Sequence, residues 1–191
     1  MKGLPNKLTL LRILMIPLIL FTLMFDFAPG VPSLHYWISA FIFILASLTD
    51  SLDGHLARKY NLITNVGKFL DPIADKLLVT SVLLWMIAKI NADWFTIVAI
   101  IIVGREFIIS GFRLLASLGG HSVIAASWLG KVKTTMQSIA LVSYMLVPTE
   151  IHILALPVFY IALGVSVLFS IWSCADYILK NWSIMQQGEK E

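Results

Sequence analysis

Long apolar runs separated by short polar clusters make up nearly the whole chain. Six runs can be read, at about 9–28, 35–52, 69–90, 93–115, 122–148 and 153–180. A hydrocarbon layer takes roughly 20 residues of helix to cross, so each run predicts a transmembrane α-helix. Turn-forming residues mark the joints: Ala28-Pro29-Gly30 with Pro32, Asn91-Ala92-Asp93, Gly119-Gly120 and Pro148. The first run follows Lys2, Lys7 and Arg12 in the manner of a signal peptide. The residues after it, Asp26-Phe27-Ala28-Pro29-Gly30, lack a small-x-small cleavage pattern, so it is expected to be retained. Ahead of it, Asn6, Thr9 and Arg12 are expected to fix a short interfacial N-terminal helix, with Thr9 and Arg12 on one face at i, i+3.

Composition agrees with the pattern. Of 191 residues, 59% are hydrophobic and 13% charged, and the mean hydropathy is +0.88. A soluble domain carries roughly 45–50% apolar and about 25% charged residues, so this composition excludes a water-soluble globule and a disordered chain. The single cysteine, Cys174, excludes an internal disulfide framework. A net charge of +3 invites a nucleic-acid reading, but the basic residues sit in clusters between apolar runs, as membrane topology places them. Of the 14 Lys and Arg, only Lys89 falls on the connections near 26–34, 89–93 and 148–152. The expected fold is therefore an all-α integral membrane protein in a single domain, 1–191. It has six transmembrane helices, the short interfacial N-terminal helix, and both termini cytoplasmic.

Four carboxylates fall where an apolar helix should carry none. Asp50 and Asp53 are i, i+3 near the end of the second run; Asp71 and Asp75 are i, i+4 at the start of the third. Each pair shares a helical face, and an antiparallel hairpin of the two helices brings the pairs to one depth. An aspartate costs about 2.5–3.5 kcal/mol at the centre of a membrane helix, so these need partners. Arg58 and Lys76 could neutralise two of the four as simple ion pairs. Converging all-oxygen ligands suit Mg²⁺, Mn²⁺ or Ca²⁺ rather than zinc. Gly54, Ala57 and Gly67 leave room beside this cluster for a bulky group, and Arg58 offers a fixed positive charge to a phosphate. Pro72 either sits in the first turn of the third helix or kinks it at Lys68.

The spacing D-x2-D-G-x2-A-R-x8-G-x3-D-x3-D, from Asp50 to Asp75, resembles the signature of the CDP-alcohol phosphatidyltransferases at all eight defining positions. The resemblance implies a membrane-domain fold of six helices, a homodimer, and a site facing the cytoplasm. It also implies two metal ions, Mg²⁺ or Mn²⁺, held by Asp50, Asp53, Asp71 and Asp75, with Asp71 and Asp75 catalytic and Asp75 the base. The nucleotide would pack against Gly54, Ala57 and Gly67, with Arg58, Asn6 and Thr9 beside it. Three further stretches look like a bacterial branch of the family: Pro5-Asn6 to Arg12, Gly104-Arg105-Glu106-Phe107 continuing to Arg113, and Gly130-Lys131-Val132-Lys133-Thr134 to Gln137. That branch implies transfer of a phosphatidyl group from CDP-diacylglycerol to sn-glycerol 3-phosphate with release of CMP, at the bacterial cytoplasmic membrane. The partners implied are those two substrates, the lipid bilayer and a second copy of the chain, with no nucleic acid.

The basic residues bear on the acceptor. Arg105 and Arg113 are about 80° apart over two helical turns and can line one face, whereas Lys131 and Lys133 are about 200° apart and cannot both point one way. Arg105, Arg113, Lys131 and Lys133 are the expected phosphate pocket; the plainer reading makes them topology anchors against anionic lipid. Relatives that use serine, an inositol phosphate or phosphatidylglycerol share the same aspartates. Outside the enzymes, a divalent-cation carrier would also need intramembrane carboxylates, but near the midplane and open to both sides. Gly111, Ala116 and Gly164 are expected at close helix contacts.

Overall fold

The structure is a computed structural model that describes residues 4–27, 30–31, 33–59, 65–118 and 128–187; side chains are placed for 9–27, 30–31, 33–49, 70, 72–113 and 128–180. Six α-helices account for almost all of the described residues, and none of these forms a strand. They are α1 (Leu4–Met24), α2 (Leu34–Lys59), α3 (Asn65–Ile90), α4 (Asp93–Leu118), α5 (Trp128–Leu146) and α6 (His152–Gln187). α2, α3, α4 and α6 each contain one of the six apolar runs, and α1 and α5 cover most of the first and the fifth. The N-terminal helix expected as a separate piece is instead the first turns of α1. Pro5 sits in the opening turn, where its missing N–H is harmless, and the helix runs unbroken from Arg12 into Ile13. Pro72 lies well inside α3, so of its two expected placements the first turn is excluded.

The joints form for local reasons. Asn91 takes a left-handed backbone (φ 47°), which closes α3. Its N–H donates to the Ile87 carbonyl at 2.9 Å, and the Ala92 carbonyl then accepts from Phe95 and Thr96 to open α4. Between α5 and α6 the chain turns at Pro148. There the Ser33 hydroxyl at the head of α2 donates to Glu150, a bond that holds the Glu150 carboxyl below its ordinary range.

Packing follows α1 against α2 and α3, α5 against α6, α4 against α6, and α2 against α5. Phe43, Leu83, Met86, Phe95, Leu141, Met145 and Phe159 fill the middle. Phe159 stacks obliquely on Tyr144 with ring centres 5.0 Å apart, and Tyr144 meets the edge of Trp85. Two polar pairs cross between helices inside the bundle near α1. Ser39 of α2 bonds Thr22 of α1 at 2.7 Å, and the Arg12 Nε donates to the Ala46 carbonyl at 3.3 Å. Outside, Leu14, Phe41, Leu84, Ile100, Ile161 and Leu168 are exposed, an outer surface suited to hydrocarbon. Among the described residues, Asp93–Arg113 (21 residues) and His152–Lys180 (29 residues) are each long and apolar enough to cross a membrane; α1 and α2 carry the shorter apolar stretches Thr9–Met24 and Leu34–Thr49.

One expectation fails. Among the described residues, a Cβ added at Gly111 or Gly164 would meet no neighbour within 4 Å, so neither glycine marks a close contact between these helices of one chain. Each serves instead as an ordinary position in an apolar helix. Ala116 lies outside the described side chains.

Candidate active site

Helices α2 to α5 enclose a polar cavity of about 320 Å³. α3 reaches it because Ala74 and Leu78 pack inward, which turns Asp75 and Lys76 along the cavity wall. α4 contributes Glu106 beneath the apolar Ile102 and Val103, and α5 contributes Lys133 and Gln137, one turn apart on one face. Ser47 of α2 closes the opposite side. Two residues from widely separated motifs, Asp75 and Lys133, thus share one chamber.

Glu106 is the hub of the charged groups. Its Oε1 accepts from Lys133 Nζ and, at 2.8 Å, from Arg105 Nη1. Arg105 Nη2 donates onward to Ser173 of α6 at 2.9 Å. Lys76 donates to the Ser110 hydroxyl, which in turn donates to the Glu106 carbonyl at 2.7 Å. The Lys133 side chain is only 2% exposed. Buried like charges repel strongly, so one carboxylate between two cations is what lets both stay inside. A lysine ammonium has three donors, and one bond to Glu106 leaves others for a ligand in the cavity.

The basic residues expected in one pocket part company. Lys133 lines the cavity and Arg105 braces it from behind through Glu106. Lys131 and Arg113 are exposed and outside the lining. For Lys131 the helical angle explains this: a residue two positions from Lys133 must face away from it on a regular helix. Thr9 and Arg12 are buried on α1. Of the nucleotide and metal residues, Asp50, Asp53, Gly54, Ala57 and Arg58 fall on the α2 backbone and Gly67 and Asp71 on α3, as Asn6 does on α1; their side chains lie outside the described residues. Among the described residues no three His, Cys, Asp or Glu side chains form a metal-holding group. Of the four aspartates only Asp75 has a described side chain, and it presents oxygen to an open chamber. A hard divalent cation takes oxygen donors, so this donor chemistry fits Mg²⁺ or Mn²⁺.

Sequence spacing marked Asp75 and the basic residues but missed Glu106 as the hub, Lys76 as the partner of Ser110, and Gln137 as part of the wall. A signal for Glu106 was present: an acid inside an apolar run needs a cation, and Lys133 is the buried one.

An all-helical bundle with an apolar exterior and an acid and a lysine in one internal chamber is the frame of a membrane enzyme acting on a charged head group. The chain belongs to the CDP-alcohol phosphatidyltransferase family, whose model matches residues 2–172. It is 40% identical over 195 aligned residues to a CDP-diacylglycerol–glycerol-3-phosphate 3-phosphatidyltransferase of Bacillus subtilis (strain 168), covering 97% of this chain and 98% of that one. A protein of the same name from Haemophilus influenzae is 40% identical over 180 residues, 92% of this chain and 91% of its own. A third, from Rickettsia felis, is 45% identical over 140 residues, 73% of each.

Proposed function

We propose that this chain is a membrane enzyme that transfers the phosphatidyl group of CDP-diacylglycerol to sn-glycerol 3-phosphate, giving phosphatidylglycerophosphate and CMP. The observation that carries the reading is the meeting of Asp75 and Lys133 in one cavity, in a chain whose relatives bear that enzyme's name over most of their length. The chain acts as one membrane domain, 1–191, with six crossings, both termini and the site on the cytoplasmic side, and it works as a homodimer in the bilayer. The placement of Lys and Arg supports that topology.

The reaction joins the primary hydroxyl oxygen of the acceptor to the lipid-side phosphorus of the pyrophosphate. The bond from that phosphorus to the CMP oxygen breaks, and CMP leaves with the electron pair. Asp75 takes the hydroxyl proton. Asp50, Asp53, Asp71 and Asp75 would hold two divalent ions, which when bound supply charge neutralisation on the pyrophosphate. Gly54, Ala57 and Gly67 let the nucleotide approach the helix backbone, with Arg58, Asn6 and Thr9 beside it. Lys133 receives the acceptor phosphate, and Glu106 fixes the lysine where that phosphate meets it.

The test is CMP release by purified protein in detergent, with CDP-diacylglycerol and Mg²⁺. Glycerol 3-phosphate alone should support it; serine, an inositol phosphate and phosphatidylglycerol should not. Chelation with EDTA should stop release and added Mg²⁺ or Mn²⁺ restore it. Release with a different acceptor would overturn the assignment of the acceptor, and release unaffected by EDTA would overturn the metal.

The two lysines separate the pocket from the topology anchor. Lys133→Gln should raise KM for glycerol 3-phosphate by about 10- to 100-fold, the worth of a charge-assisted hydrogen bond, and leave KM for CDP-diacylglycerol unchanged. Lys131→Gln should leave both constants near wild type. Equal effects from the two substitutions would make both lysines anchors.

A further inference from the structure

Gln137 is a largely buried residue to whose amide the described residues offer no hydrogen bond. It is 4% exposed and lines the cavity with Asp75 and Lys133. Neither of its amide atoms is sealed from the surface, so what little surface the residue keeps opens into the chamber. Buried polar side chains are almost always paired. An amide whose polar atoms open into a cavity is free to bond water there, or a ligand group that displaces that water.

The chemistry of the wall narrows what that ligand group is. Lysine only donates hydrogen bonds and an ionised carboxylate only accepts them, whereas an amide does both. A hydroxyl also does both, and it is the neutral group an amide matches best. The proposed acceptor has three polar groups: a phosphate, a primary hydroxyl that attacks, and a middle hydroxyl that does not react. With the phosphate at Lys133 and the attacking hydroxyl at Asp75, the middle hydroxyl falls between α5 and α3. Gln137 stands one turn along α5 from Lys133 on the same face.

We propose that Gln137 reads the non-reacting hydroxyl of the acceptor and sets the choice of glycerol 3-phosphate over phosphates that lack it. This rests on the functional reading above. A pocket built to bond a hydroxyl rejects the compound without it because its own polar group is then left unpaired.

The experiment compares kcat/KM, by CMP release, for sn-glycerol 3-phosphate and for 3-hydroxypropyl phosphate. The second compound keeps the phosphate and the primary hydroxyl and lacks the middle one. The wild type should prefer glycerol 3-phosphate by about 10- to 100-fold. Gln137→Leu should erase that preference by losing activity on glycerol 3-phosphate alone. Gln137→Met, unbranched and close to glutamine in shape, gives the same comparison if the leucine protein does not fold. A wild type that does not discriminate, a preference that survives both substitutions, or an equal fall on both compounds would each overturn the proposal. A wild type that turns over neither compound would overturn the functional reading itself, a result separate from these three because there is then no preference to compare.

Discussion

Asp75→Asn is expected to lower kcat for CMP release by about 10³- to 10⁴-fold, the range a positioned base and metal-bound carboxylate supply. The substitution keeps the shape of the side chain and its hydrogen-bonding size while removing the charge that would accept the proton. Asp75 is exposed in the cavity, not packed in the core. The thermal unfolding midpoint in detergent should therefore move little, since Ala74 and Leu78, which hold α3 in place, are untouched. Asp71→Asn, one helical turn earlier, should do the same. Activity above a tenth of wild type in either variant would remove the aspartate from the chemistry. A large drop in unfolding midpoint alongside lost activity would assign it a structural role instead.

Glu106→Ala has the largest expected effect on stability. Lys133 and Arg105 both bond Glu106 Oε1, and the lysine is almost completely buried. Removing one partner of a buried ion pair costs about 3–5 kcal/mol because the remaining charge stays desolvated. Here two cations would be left facing each other. The double variant Glu106→Leu, Lys133→Met replaces the pair with apolar groups and should recover most of the loss, since such replacements are often neutral. It should also have lost its affinity for glycerol 3-phosphate, because Lys133 is gone. Unfolding in denaturant, read for Glu106→Leu, for Lys133→Met and for the double, gives the coupling between the two residues. A loss below about 1 kcal/mol in Glu106→Ala would mean that water reaches the pair and solvates it, as at an exposed ion pair.

Much of this architecture was legible because it is local. The helix ends at Asn91 and Pro148 follow from turn chemistry that a few neighbouring residues decide. Six apolar runs gave six helices because helix formation in a run of apolar residues depends on residues three and four apart. The opposed directions of Lys131 and Lys133 followed from helical angles, though not which of them faces inward. That needed α4, whose Glu106 captures Lys133 from 27 positions away. Contacts of that kind depend on how helices lean on one another, and no local spacing records it. Gln137 shows the same limit: it sat in a stretch noted for its lysines, and its burial became visible only with the cavity around it. The small-residue reading of Gly111 and Gly164 failed for the opposite reason. Glycine permits close approach but does not cause it, and none of the described helices approaches either one.

The length of α6 has a practical consequence. It runs 36 residues against 19 in α5, its antiparallel neighbour, and the two share the turn at Pro148. At 1.5 Å per residue, α6 therefore overhangs the start of α5 by about 25 Å, on the side where Lys133 meets Asp75. Along that overhang α6 packs on α4, where the Tyr177 ring meets the edge of Phe112. A label attached on the last turns of α6, about 25 Å along the axis beyond the start of α5, is expected to leave turnover intact.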